Sequence, residues 1–132
     1  MKIFIDTNIF LDLLLDREYS TEAKSVLLSI QEGLFEAITA DISLLNIDYI
    51  AKKQTKNIRH FIDYINQIVV IVGADNNDIA QALHLDNKDF EDNLQLVLAK
   101  RSNCDLIITN DLKFPKEGAK IISSTNFVEQ YL

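Results

Sequence analysis

The sequence predicts an α/β fold, a three-layer α/β/α sandwich around a mainly parallel sheet of four or five strands. Short unbroken apolar runs, IFI at 3–5, IVVIV at 68–72 and LII at 106–108, have the character of strands covered on both faces. Between them lie longer stretches whose apolar residues recur at helical spacing, and strands alternating with helices imply a parallel sheet. The length of 132 residues, 48% of them apolar, is enough for one domain spanning 1–132 with a real core. Three glycines and one proline leave little room for long irregular loops.

In chain order, Ile3 to Ile5 reads as a strand apolar on both faces, and Ile9, Leu11 and Leu13 to Leu15 follow in a largely helical pattern. Ser20 to Gly33 is a clearer helix, with Ala23, Val26, Leu27 and Ile30 on one side and Gly33 as its stop. Phe35 to Ala40 is a second strand. A helix beginning at Asp41 or Ser43 carries Leu44, Leu45, Ile47 and Ile50, and Asn57 to Gln67 forms another with Ile58, Phe61, Ile62 and Ile65 on one side. The run IVVIV, closed by Gly73, predicts a strand buried on both faces. Asp75 to Leu85 and Phe90 to Asn103 are helical, Leu106 to Ile108 and Lys120 to Ile122 are strands, and a last helix starts near Thr125. No internal repeat, low-complexity tract or linker interrupts this order.

The net charge of −7 disfavours nucleic-acid binding by charge alone and suits a soluble acidic protein or one that gathers acids around cations. Cys104 is the only cysteine, which excludes an intramolecular disulfide and a thiolate zinc site and agrees with a reducing, cytoplasmic location. Asp6, Asp12 and Asp16 break the N-terminal apolar run and no cleavage site follows, so neither a signal peptide nor a membrane span is expected. No glycine-rich phosphate loop is present, which removes ordinary dinucleotide or P-loop binding.

In an open parallel sheet, ligands sit at the carboxyl ends of the strands, near the point where strand order reverses. Two polar stretches begin directly after apolar strands, Asp6-Thr7-Asn8 and Asn110-Asp111, and Asp89-Phe90-Glu91-Asp92 opens the helix leading into the later strand. If the strands ending at Asp6 and Asp111 are neighbours, all three groups face one cleft. Each acid also has a plain structural use. Asp6 and Asp89 are candidate N-caps, with Asp92 at the third position after Asp89, and Asp111 suits a turn. Caps explain each acid singly, but not why they collect at the same edge of one sheet. Like charges in one cleft repel and ask for a divalent cation, and hard oxygen donors without a cysteine or histidine cluster point to Mg²⁺ or Mn²⁺.

The stretches IFIDTNIFLDLL, DFEDNLQLVLA and LIITNDLKF resemble the PIN-domain family of metal-dependent ribonucleases, which includes the VapC-type toxins. The resemblance follows motif order over essentially the whole chain, and the opening Asp-Thr-Asn paired with the late Thr-x-Asp-x-x-Phe is its most specific part. It implies a cluster of acids holding one or two Mg²⁺ or Mn²⁺ ions, with Asp6, Asp92 and Asp111 as the catalytic and metal-holding residues. By position Asn8 matches the asparagine beside the first acid, and Asp89 an additional acid of one family branch. Thr109 and Asn8 are expected to orient carboxylates by hydrogen bonds. Where many members carry a glutamate after the second strand, this chain has Asn46, which lowers the carboxylate count at that corner.

The activity so implied is endoribonucleolytic hydrolysis of RNA phosphodiester bonds, with water as the attacking group. The resemblance also implies a toxin held by a cognate antitoxin, often as a homodimer; the apolar helices around Leu11–Leu15 and Val26–Ile30 are a candidate surface. Lys52, Lys53, Lys56 and Arg59 form the densest basic run and are the candidate RNA-backbone contacts, set against an ordinary solvated helix face. Receiver domains and haloacid-type phosphatases also put acids at strand ends, but Thr7 follows Asp6, Gly73 closes IVVIV, and residue 8 is Asn. The alternative from a different class is a PIN-like module that binds RNA or protein without cutting, and Asn46 is the feature that favours it.

Overall fold

The computed structural model describes residues 1–132. The chain runs β1 (Lys2–Ile5), α1 (Thr7–Leu14), α2 (Ser20–Gln31), β2 (Glu36–Ala40), α3 (Asp41–Ala51), α4 (Ile58–Ile68) and β3 (Val70–Val72). It continues with α5 (Asn76–Leu83), α6 (Phe90–Arg101), β4 (Leu106–Ile108), β5 (Ile121–Ile122) and α7 (Ser124–Tyr131). The five strands form one sheet in the order β3-β2-β1-β4-β5, and every pairing is parallel. Ile3 lies beside Ala37 on one side and Leu106 on the other, which fixes β1 at the centre.

Alternation along the central strands divides the core into two. Ile3, Ile5, Leu106 and Ile108 point toward Ile9, Phe10, Val26, Leu27 and Phe127 on one face of the sheet. Phe4, Ile38, Ala40 and Ile107 point to the other, against Ala82, Leu94 and Leu98 of α5 and α6. Phe4, Phe10 and Phe127 are fully enclosed, each contributing about 1.5–3 kcal/mol by the usual area relation. Helices therefore cover both faces, giving the three layers that the continuous apolar strands require. Gly33 stops α2 as expected: its φ is +80°, and the N–H of Leu34 reaches back to the Ser29 carbonyl at 3.0 Å.

The run IVVIV departs from its expected place. Ile68 is the last residue of α4, and β3 is an outer strand whose Val70 is 50% exposed. A β-branched run encodes extended backbone but not the number of strand neighbours, and here only β2 pairs with it.

The connection from β1 goes to β2 on one side of the sheet, and the chain returns to β4 on the other. Strand order thus reverses between β1 and β4, opening a crevice at their carboxyl ends. The N–H of Asp6 donates to the Ile108 carbonyl at 3.1 Å, so Asp6 and Thr109 leave the sheet side by side. No helix is long and apolar enough to cross a membrane.

Candidate active site at the carboxyl edge of the sheet

Asp6 occupies the N-cap position of α1 but makes no side-chain cap bond. It is 1% exposed, and its Oδ2 accepts from the Thr109 hydroxyl at 2.9 Å. Thr109 Oγ1 in turn accepts from the backbone N–H of Asp111 at 3.1 Å, so one hydroxyl ties the two strand ends together. Burial pushes the Asp6 carboxyl up to about 6; Thr109 and Gln95 hold it down, while the charges of Glu91 and Asp111 add to the rise.

The first turn of α6 supplies the second group. Asp89 is a genuine N-cap, accepting from the N–H of Asp92 at 3.1 Å. The Asp92 side chain is not used as a cap and is only 6% exposed, because Leu94 to Ala99 bury the rest of the helix and leave its N-terminal turn at the crevice. Asp92 is pushed up to about 8, first by burial and then by its hydrogen bond with the Asp111 carboxyl, with the Asp6, Asp89 and Asp111 charges adding. Asp111 also holds a turn, its Oδ1 accepting from the Lys113 N–H at 2.9 Å. Asp6, Asp92 and Asp111 are thus brought together, with Thr109 linking the first and third. They do not close around one point as a finished three-ligand cage.

Other residues stand apart from this group or perform another task. Asn8 is exposed and accepts from Arg17 at 3.3 Å instead of orienting a carboxylate. It lines the same depression as Asp12, Asn110 and Asp111. Lys52, Lys53 and Lys56 are exposed in the turn from α3 to α4 and Arg59 in the first turn of α4, at the opposite end of α3 from the sheet edge. Lys52 lies over the Tyr49 ring at 5.6 Å, and no hydrogen bond or ion pair joins the run to the acids.

Three side chains at the crevice escape a reading of the sequence as acids at strand ends. Asn46 of α3 donates through its Nδ2 to a carboxylate oxygen of half-buried Glu91. An acid in the first turn of a helix reads as a complement to the helix dipole, which hides Glu91. Gln95 is completely buried, and neither amide atom has a partner at hydrogen-bond distance although it acts on Asp6. Its signal was a polar residue inside the apolar stretch LQLVLA. Asp12 is 7% exposed, receives the Asn110 amide at 3.3 Å, and lies 3.8 Å from Arg17. Burial pushes its carboxyl up, against the Asn110 bond and the Arg17 charge. It helps to line a depression of about 350 Å³ that runs from Asp111 past Asn110 to Arg17 and Tyr19.

Comparison with known proteins bears on the family and the fold. A family model described as PIN domain matches residues 2–113. Ribonuclease VapC1 of Aquifex aeolicus is 28% identical over 140 residues, covering 98% of this chain and 95% of that protein. Among solved structures, VapBC2 of Rickettsia felis, bound to a DNA fragment from its promoter, superposes with a TM-score of 0.71 at 16% identity, over 93% of this chain and 98% of that one. A toxin–antitoxin complex from Klebsiella pneumoniae gives 0.70 at 20% identity, over 92% and 97%. VapC20 of Mycobacterium tuberculosis, a sarcin–ricin loop cleaving toxin, gives 0.68 at 15%, over 89% and 95%. At these identities the structural matches speak for the fold alone.

Proposed function

The chain belongs to the PIN-domain family, and on that premise we propose that it is a divalent-cation-dependent endoribonuclease, the toxin of a toxin–antitoxin pair. One observation carries the reading. Asp6, which a helix start would normally use as a cap, is instead buried and held by Thr109 beside the Asp92–Asp111 contact.

The residues fit a hard divalent cation. Every donor at the crevice is an oxygen or an amide, with no thiolate or imidazole among them, which suits Mg²⁺ or Mn²⁺ over Zn²⁺. Three mutually repelling carboxylates and the orphaned amide of Gln95 leave charge and hydrogen-bonding capacity unmet, as a hydrated cation would satisfy. Asp6, Asp92 and Asp111 would hold the ion. When bound, it offsets charge on the scissile phosphate and lowers the pKa of water. Thr109 fixes the orientation of the Asp6 carboxylate, and its hydroxyl, donating to Asp6 and accepting from Asp111, is not free to attack. Asp92, whose carboxyl burial and its acidic neighbours push up to about 8, must lose its proton before it can act as a ligand. With no free nucleophilic side chain among these residues, water is the attacking group.

Incubation with single-stranded RNA and Mn²⁺ tests this reading. Accumulating fragments support it, whereas RNA retained intact in a complex would establish the non-cutting module instead. That module was favoured by the missing carboxylate at position 46, yet Glu91 stands at the same corner.

The antitoxin surface follows from the exposed apolar residues. Leu11, Val26, Leu27 and Ile30 are core. Leu13, Leu14, Leu28, Phe61 and Tyr64, with buried Leu27 at the base, line an open groove of about 410 Å³ that also includes Lys24. An apolar helix face is the partner chemistry this groove suits. Leu28, 42% exposed, is the test position. Leu28→Glu should leave RNA cleavage unchanged and weaken inhibition by the antitoxin about tenfold or more. Undiminished inhibition would return the groove to ordinary surface.

A further inference from the structure

We propose that Glu91 supplies the carboxylate that position 46 lacks, binding the divalent cation from α6, and that Asn46 is its positioning residue. The inference rests on the divalent-cation reading above and names a ligand that acids at strand ends do not reveal.

Asn46 sits on α3 and Glu91 on the first turn of α6, 45 positions apart, and the Asn46 amide donates to the Glu91 carboxylate. A glutamate on a helix start would otherwise turn to solvent, where its charge is best hydrated. Here it is half-buried and held inward. Glu91 and Gln95 are four residues apart and share one side of α6. Gln95 is fully buried with both amide atoms unpartnered, and it faces Asp6. The Glu91 charge is itself felt at Asp6. An acid held by Asn46 and an orphaned amide beside the buried carboxylate of Asp6, both supplied by α6, describe a wall of a hydrated-cation site. An acid placed only to complement the helix dipole needs neither the burial nor the Asn46 bond.

A carboxylate at position 46 would lie against Glu91 and repel it, so an amide there is what a glutamate at position 91 requires. The neutral donor on α3 and the acid on α6 are one device, and the carboxylate has moved from one helix to its neighbour.

A purely structural tie between α3 and α6 makes a different prediction, and Glu91→Gln separates the two. The amide oxygen of glutamine still accepts from Asn46, so the tie persists while the charge is lost. Calorimetric titration of Mn²⁺ into wild type, Glu91→Gln, Asn46→Ala and Asp92→Asn at one pH is the experiment, with melting of each protein in EDTA alongside. Glu91→Gln should weaken Mn²⁺ binding about tenfold or more and melt in EDTA at or above the wild-type temperature. Asn46→Ala should weaken binding by up to about tenfold, through loss of orientation alone. Wild-type affinity in Glu91→Gln overturns this assignment while leaving the cation site intact. Absence of Mn²⁺ binding to wild type overturns the cation reading itself, and the assignment with it.

Discussion

Replacing Asp92 with asparagine should abolish RNA cleavage and leave the cation-free protein at least as stable as wild type. The two halves of this result come from the same feature. Asp92 is buried beside Asp6 and Asp111 and its side chain makes no cap bond, so burial and the charges of Asp6, Asp89 and Asp111 oppose its ionised form and outweigh the helix-dipole gain of a first-turn acid. Asparagine keeps the shape, removes the repulsion, and can donate its amide to Asp111. Metal-assisted charge stabilisation is worth several kcal/mol, so kcat/KM should fall by roughly 10³-fold or more at about 1.4 kcal/mol per decade. The EDTA-treated variant should melt at or above the wild-type temperature. A variant that unfolds without metal would make Asp92 a structural residue. The contrast is Asp89, whose carboxylate does cap α6. Asp89→Ala should cost about 1 kcal/mol of stability whether or not a cation is present.

In EDTA the wild-type protein should lose stability as pH rises from about 4 to about 8. Asp6 is held near 6 and Asp92 near 8, both above the ordinary carboxyl value of 3.8. Between that value and the raised ones, the folded chain binds more protons than the unfolded chain. Stability is therefore greatest below the unfolded pKa and is lost as pH passes through the folded values. The groups that drive it face Asp92 from three sides: Asp6 from β1, Asp89 from the start of α6, and Asp111 after β4. Melting temperature followed by circular dichroism should fall by on the order of several °C across this range. Saturating Mn²⁺ should flatten or reverse the slope, because a cation competes with protons for the same oxygens and binds better at higher pH. A melting temperature that rises steadily with pH in EDTA would mean that the carboxylates are paired by cations of the chain itself.

Much of the fold was legible because apolar continuity is a strong signal. The IFI and LII runs became the paired central strands β1 and β4, and the pattern over Ser20 to Gly33 became α2 with its glycine stop. IVVIV misled because a β-branched run fixes backbone shape, whereas edge or centre is decided by which strands pair. At the crevice, acids placed directly after strands could be read because topology alone carries them to one edge. Gln95, Asp12 and the Asn46 bond that holds Glu91 could not, since they depend on how α3, α6 and α1 pack, and a single chain records that only as scattered polar residues. Asn8 lines the depression beside Asp12 and Asp111, where its side-chain oxygen accepts from Arg17, a partner that the sequence does not indicate.

The most direct test of a cation-dependent acid centre is end-group analysis of RNA cut by the purified protein, first in EDTA and then after Mg²⁺ or Mn²⁺ is restored. The acid centre predicts no cleavage in EDTA, recovery on adding either ion, and no product from Asp92→Asn. It also predicts ends bearing a phosphomonoester and a free hydroxyl, because water is the attacking group. Undiminished cleavage in EDTA, or 2′,3′-cyclic phosphate ends made by the RNA's own 2′-hydroxyl, would contradict it.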